Sequence, residues 1–392
     1  MNRTRVVVIG AGIVGVACAR ELALAGFDVL VLDRGRPAGG TTSHGEGNLL
    51  VSDKGPGAEL ALAQLSARLW PRLVAEIAVG DPRAAVATEF DPKGGIVVAT
   101  TEAGAGALLA FAAAQAVAGV RTEPLSAVDV AAAEPALTRE VTAAVRYADD
   151  AQVQPAGAAL ALLGSALAHG ARLRTDTEVT GAVVRGGRIT GVRAAGEVIE
   201  ADVVVNAAGP WSGLVSARLG APIAVRPRRG EVLVTTPMPG VVRHKVYDAD
   251  YVGAVGTGSG ELQTSAVVES TGGGTVLIGS SRRRVGFDDT IRPDVLGAIA
   301  AKALRLFPAL ADAAVMRAYG GFRPYVADHL PVLGEDPRLG NLWHATGHEG
   351  AGIGQSVGTA LLLRELLTGA EPSMPVEEFT VDRPAVLVEV AV

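Results

Sequence analysis

The chain holds a single cysteine, Cys18, in 392 residues. One thiol forms no internal disulfide, and without a cysteine cluster the chain offers no ligand set of its own for an iron–sulfur centre. Cys18 falls inside an apolar helical stretch and reads as small core packing. An excess of basic charge is also lacking. The 35 Lys and Arg stand against 41 Asp and Glu, a net charge of −6, so the electrostatic footprint of a nucleic-acid binder is absent. No low-complexity linker and no obvious internal repeat breaks the sequence. A strand pattern starts within about five residues of Met1, so no signal peptide is expected and the cytoplasm is the expected compartment. Near Ala103–Val120 and Ala151–Ala171 charge is missing over about the length of a membrane span. Both stretches are Ala/Gly-rich, and the second carries Gln152, Gln154, Pro155 and His169. Buried helices, rather than membrane spans, are expected there.

What the chain has in plenty is apolar residues (49%) and glycine, 50 in all, as suits a tightly turned, well-buried α/β protein. Its length fits two domains or one large α/β body. The first unit is "VVVIGAGIVGVACARELALAGFDVLVLDRG". Val6–Ile9 is a continuous β-branched run, as a strand buried on both faces requires. A helix follows through Ile13, Val14, Val16, Ala17, Leu22 and Ala25 and stops at Gly26, and Phe27–Leu32 reads as a second strand. Between them stand Gly10, Gly12 and Gly15 in the spacing G-x-G-x-x-G. Gly10 permits the tight turn, Gly12 lets a pyrophosphate approach the backbone, and Gly15 lets helix and strand pack closely. The helix N-terminus offers free N–H groups and a partial positive charge to phosphates. Asp33, 21 residues after Gly12, is placed to accept hydrogen bonds from a ribose and disfavours a 2′-phosphate. The stretch predicts a dinucleotide site without saying which dinucleotide.

Further along, Gly186–Gly187 is a hairpin signal between strands ending at Ala182–Val184 and beginning at Ile189–Val192. Ala201–Asn206 is another buried strand, so the chain returns to the first sheet long after leaving it. "GGIVVATT" and "TVLIGSSRRRVGF" read as strands of an antiparallel sheet, with "DVLGAIAAKALRLFP" as a helix. A second domain is woven through the first rather than strung after it.

Five spaced segments carry a family resemblance over nearly the whole chain. They are Gly10-x-Gly12-x-x-Gly15 with Asp33; "GGTTSHGEGNLL"; "ADVVVNAAGPW"; "GGFRPYVADHLPVLG"; and "ATGHEGAGIGQSVGTALLLRELLTG". Together they resemble the D-amino acid oxidase/glycine oxidase superfamily of FAD enzymes. "GEGNLLVSDK" and "VLIGSSRRRVGF" resemble more closely the flavin-bearing subunits of heteromeric dye-linked dehydrogenases, a group that includes hydrogen cyanide synthase, opine oxidases and proline or hydroxyproline dehydrogenases. The implied fold is α/β: a Rossmann-like, glutathione-reductase-like FAD-binding domain (1–85, 148–222 and 322–392) interwoven with an α+β substrate domain on an antiparallel sheet (86–147 and 223–321).

The resemblance implies FAD as the dinucleotide. The cofactor-binding set it implies comprises Gly10, Gly12, Ile13, Val14, Gly15, Asp33 and Arg34; Thr41, Thr42, Ser43, His44 and Gly45; Val179, Ala208, Gly209 and Trp211; and Gly347, His348, Glu349, Gly350, Gly352, Ile353 and Gly354. "GHEGAGIG" precedes an apolar helix through Leu361, Leu362, Leu366 and Leu367. Its free N–H groups would face the flavin N1/C2=O edge, where negative charge gathers on reduction. Some relatives carry a histidine joined covalently to the flavin at the place of His44, others bind FAD without a bond, and His44 also reads as a polar loop residue.

Arg323 matches the arginine that binds the substrate carboxylate in the superfamily, and its planar fork suits that work. A structural pairing with an acid such as Asp328 is the alternative. Tyr251 is a candidate to close over the carboxylate, with Tyr247 competing and core packing open for both. His348 is a candidate to shape substrate access or flavin electrostatics, and Glu349 to pair with a substrate ammonium or a backbone donor; loop capping is open for both. The "SRRR" run, Ser281–Arg284, reads as a solvated strand edge or a docking surface for an acidic partner. The expected reaction is oxidation of the C–N bond of a small amino or imino acid with a carboxylate, by hydride transfer to flavin N5 and hydrolysis of the imine. Electrons would pass to a partner subunit holding an iron–sulfur cluster or second flavin, through which the protein would be membrane-associated. The alternatives are a stand-alone oxidase that makes hydrogen peroxide and a non-catalytic FAD-binding subunit. No metal site is expected.

Overall fold

The computed structural model describes residues 3–249 and 260–388. It opens with β1 (Arg5–Ile9), α1 (Ile13–Leu24) and β2 (Asp28–Leu32), as the glycine spacing predicts. These strands lie inside a six-stranded sheet whose order is Val332–Glu335, Leu342–Thr346, Val203–Asn206, β1, β2, Arg172–Arg174. Its pairs are parallel, with Val7 opposite both Val204 and Leu30, except for the antiparallel edge strand Val332–Glu335. A parallel sheet must be covered on both faces. Helix α1, Pro155–Ala168 and Gly352–Thr368 share one core. A small antiparallel sheet of Val179–Arg185, Arg188–Ala194 and Glu197–Glu200 packs with the other face. Its hairpin turns at Gly186 and Gly187, whose φ of 57° and 74° fall where glycine alone sits without strain.

An eight-stranded sheet forms the second layer system. Its order is Val315–Tyr325, Arg226–Thr235, Val276–Arg282, Gln263–Ser270, Lys245–Asp248, Gly95–Ala99, Ala143–Tyr147, Thr122–Pro124. Helix Pro293–Leu306 buries Ile299, Ala303 and Leu306 against it. One pair departs from the antiparallel pattern: Lys245–Asp248 runs parallel to Gly95–Ala99. A parallel neighbour needs a long crossover, and the chain between them visits both sheets. Strand Val315–Tyr325 runs through position 321/322, so residues 322–325 belong to this sheet. The two charge-poor stretches form helices Glu102–Val117 and Pro155–Ala168. Among the described residues no helix is long and apolar enough to cross a membrane.

Candidate active site

A cleft of about 800 Å³ runs from the glycine turn of β1 to the eight-stranded sheet. The turn is built by close contact. Gly10 has φ 111°, and a Cβ there would stand 2.6 Å from the Ala207 carbonyl oxygen. A Cβ at Gly15 would lie 1.9 Å from the Gly10 oxygen, so Gly15 acts through helix–strand packing and does not line the cleft. Helix α1 starts at Gly12 with no cap from a neighbouring side chain. The Ile13 N–H donates instead to Thr42 Oγ1 across the cleft, 3.0 Å. Asp33 accepts from the Ala11 N–H at 2.7 Å and the Gly35 N–H at 2.8 Å. A carboxylate has about four lone-pair sites, so capacity remains for a ribose. Arg34 stacks over the Trp211 ring at 4.3 Å.

Every other residue of the expected cofactor set lines this cleft except Gly347 and Gly354. Gly347 turns the loop, with φ 78° and Val326 and Val332 packed where its Cβ would be. Gly354 is held inward, its carbonyl accepting from Trp70 Nε1 at 2.9 Å. That bond fixes the start of helix Gly352–Thr368, whose first turn has no side-chain cap. Two helix N-termini thus open on one cleft. His44 also lines it; its Nδ1 lies 2.7 Å from the Gly40 carbonyl oxygen, to which it donates.

The eight-stranded sheet supplies the opposite wall. Arg323 stands opposite Arg228 in register, and its Nη1 donates to the Ser281 carbonyl oxygen at 2.8 Å. A Cβ at Gly230 would lie 2.2 Å from that Nη1, so Gly230 is the space in which the guanidinium rests. Gly321, two residues before Arg323, lies under His44, whose Cβ would be 2.8 Å from an added one. Asp328, the alternative partner for Arg323, faces Arg383 at 3.4 Å.

His348 is buried, and its Nε2 bonds Thr359 Oγ1 at 2.9 Å. Burial pushes its pKa down to about 4, so near neutrality it is an uncharged imidazole of fixed orientation. Glu349 takes φ 46° and is clamped by Arg228 Nη1 at 2.5 Å and His329 Nδ1 at 2.8 Å. Burial acts to raise its pKa, yet the His329 hydrogen bond and the charges of Arg228 and Arg282 hold it below the ordinary value. Glu349 is therefore spent on a buried cation rather than a backbone donor.

Of the remaining candidates, Tyr247 and the "SRRR" run have described positions. Tyr251 lies outside the described residues. Tyr247 is fully buried and donates to Ser52 Oγ at 2.6 Å, so it belongs to the core. The "SRRR" run is neither a solvated edge nor a docking surface at Ser281, Arg282 and Arg283, all buried. Arg283 pairs with buried Glu231 at 2.8 Å and bonds the Thr290 carbonyl oxygen. Buried charges persist when paired in this way, and losing one partner costs about 3–5 kcal/mol. Only Arg284 is exposed. The sequence reading missed Arg228, Gly230, Gly321 and Glu46.

A dinucleotide cradle with two helix N-termini, faced by a sheet bearing a cleft-lining arginine, is the arrangement of a flavin-dependent oxidoreductase. Gly10 and Gly12 on the cleft wall and two helix starts whose N-cap residues supply no side-chain bond fit FAD. Comparison with known proteins bears this out: the family model "FAD dependent oxidoreductase" matches residues 5–366, and the chain belongs to that family, the D-amino acid oxidase superfamily. It is an enzyme that uses FAD. It is 32% identical over 376 residues to a glycine oxidase of Pseudomonas putida, covering 94% of this chain and 95% of that one. It is also 32% identical over 250 residues to the hydrogen cyanide synthase subunit HcnC of Pseudomonas aeruginosa, 62% of this chain and 55% of the other. The solved glycine oxidase of Geobacillus kaustophilus superposes with a TM-score of 0.87 at 26% identity, over 97% of this chain and 99% of that one.

Proposed function

We propose that the enzyme oxidises the C–N bond of a small amino or imino acid. The observation that carries this is Arg323, seated on Gly230 at the sheet wall of the cleft. A planar guanidinium presents two parallel donors to one carboxylate. FAD, when bound, accepts two electrons from the substrate as a hydride, and the imine product hydrolyses in water. The chain's own residues hold and orient. Arg323 fixes the carboxylate, and so turns the Cα–H bond toward the cofactor cradle. The N–H groups at Gly352 and Ile353 stabilise negative charge that gathers beside them. Neutral His348 adds a fixed dipole and no charge. Names of relatives support the substrate class: two are a glycine oxidase and a hydrogen cyanide synthase subunit.

For the electrons, the likeness to HcnC, a subunit by name, supports delivery to a partner subunit with an iron–sulfur cluster or second flavin. The near full-length likeness to glycine oxidase supports a stand-alone oxidase that reduces O₂ to hydrogen peroxide. The test is anaerobic flavin bleaching of the purified chain by D- and L-amino acids, proline, hydroxyproline, sarcosine, glycine and opines. Bleaching by one of them is expected. Admitting air then separates the two electron routes, since an oxidase regains its colour within turnover and releases peroxide, while a partner-dependent enzyme regains it slowly. No bleaching by any member of the panel would refute the amino-acid reading.

A further inference from the structure

The cleft contains a carboxylate that the account so far leaves unused. Glu46 lines it. Its Oε2 accepts from Asn48 Nδ2 at 3.3 Å, while its buried Oε1 has no hydrogen-bond partner among the described residues. A buried carboxylate oxygen without a donor is uncommon in a folded protein; Glu231 Oε2 and both Glu269 oxygens share this state, but of these three acids Glu46 alone lines the cleft, where a ligand can bring a donor. The sheet makes room for it. A Cβ at Gly279 would stand 2.3 Å from Glu46 Oε1, just as one at Gly230 would collide with Arg323.

The relative placement of these two glycines is informative. Leu233 pairs with Ile278, so Gly279 lies beside Val232, and Val232 is two residues from Gly230. Gly230 and Val232 both line the cleft, as alternation on one strand face requires. Gly279 sits on the strand beside Val232, so the Arg323 and Glu46 head groups rest one diagonal step of the sheet apart, about 7–8 Å. An α-amino acid that makes hydrogen bonds of about 2.8 Å at both its carboxylate and its amine spans a similar length. Burial raises the pKa of partly buried Tyr319 and of buried Glu269, and the nearby Glu46 adds to both shifts.

The geometry points to Glu46 as the group that receives the cationic amine of the substrate, opposite Arg323, which receives its carboxylate. This rests on the amino-acid reading above and deepens it. The pair makes the site a recogniser of zwitterions, and carboxylic acids lacking the amine are selected against by an unanswered carboxylate.

The test uses the FAD-loaded enzyme and Glu46→Gln, which keeps shape and removes charge. For the amino acid that bleaches the wild type, Kd comes from the concentration dependence of anaerobic flavin reduction. For its analogue without the amine (acetate for glycine, tetrahydro-2-furoate for proline), Kd comes from the change in the flavin spectrum. Glu46→Gln is expected to weaken the amino acid about 10- to 100-fold, as for loss of a charge-assisted hydrogen bond, and to tighten the analogue rather than weaken it, because the unanswered charge is gone. Gly279→Ala, whose methyl displaces Oε1, should give the same pattern. Equal shifts for both ligands, no shift, or a change confined to FAD content would overturn the assignment. If no amino acid bleaches the wild type, the amino-acid reading falls first and this inference with it.

Discussion

The two walls of the cleft recognise by different means. The cradle wall works through backbone: glycines that remove side chains, N–H groups at two helix starts, and one short carboxylate, Asp33, whose two backbone bonds brace the turn. In the proposed reading the sheet wall works through long charged side chains, Arg323 and Glu46, each lying across a glycine of the strand beneath it. A backbone site tolerates no added atoms, since nothing in it can move aside. A side-chain site tolerates changes in shape but not the loss of its charge. Damage to the cradle wall should therefore remove the cofactor and everything after it. Damage to the sheet wall should leave a yellow protein that fails with its substrate.

The largest expected effect is Gly15→Ala. Its methyl would meet the Gly10 oxygen at 1.9 Å, and both partners are backbone. Purified protein should contain almost no FAD by absorbance, and its thermal midpoint should match that of wild type stripped of cofactor or fall below it. A FAD content near one per chain would break the contrast. Next comes Gly230→Ala, which pushes on a side chain rather than on backbone. FAD content should stay near one, while the rate of flavin reduction at low substrate falls about 10- to 100-fold as the Arg323 fork is displaced. Stopped-flow reduction measures it, and a loss of FAD would show the walls to be coupled.

The smallest effect concerns His348. Its pKa is lowered from the ordinary value to about 4 by burial, so the unfolded chain binds a proton that the native state resists. The stability of neutral His348 is fully present above about pH 6.5 and is lost as pH falls toward 4. Relative to His348→Asn, wild type should therefore lose thermal midpoint progressively between those values. A difference in midpoint independent of pH would contradict this.

The same contrast explains what the sequence disclosed. The cradle is local: Gly10, Gly12, Gly15 and Asp33 lie within one βαβ unit, and the steric demands of a tight turn fix both residue type and spacing. "GHEGAGIG" before an apolar helix was legible for the same reason. The sheet wall is assembled from positions 46, 230, 279, 321 and 323, brought together only by long-range register. Arg323 was found through the likeness of its segment, whereas Glu46 and Arg228 gave no local signal. The "SRRR" run misled because three consecutive cations look solvated, and Glu231, the acid that pairs with buried Arg283, lies 52 residues before it on a neighbouring strand. Glu349 looked like a substrate or loop residue, and its actual partner, Arg228, is 121 residues away.

The most direct test of two separable walls is to titrate the FAD-loaded wild type and Arg323→Met with a plain carboxylate, acetate, following the flavin spectrum. Saturable binding is expected in the wild type and, in the variant, a full complement of FAD with affinity lowered about 100-fold, the loss of a two-pronged charged contact. Unchanged acetate affinity in Arg323→Met, with FAD still bound, would contradict it.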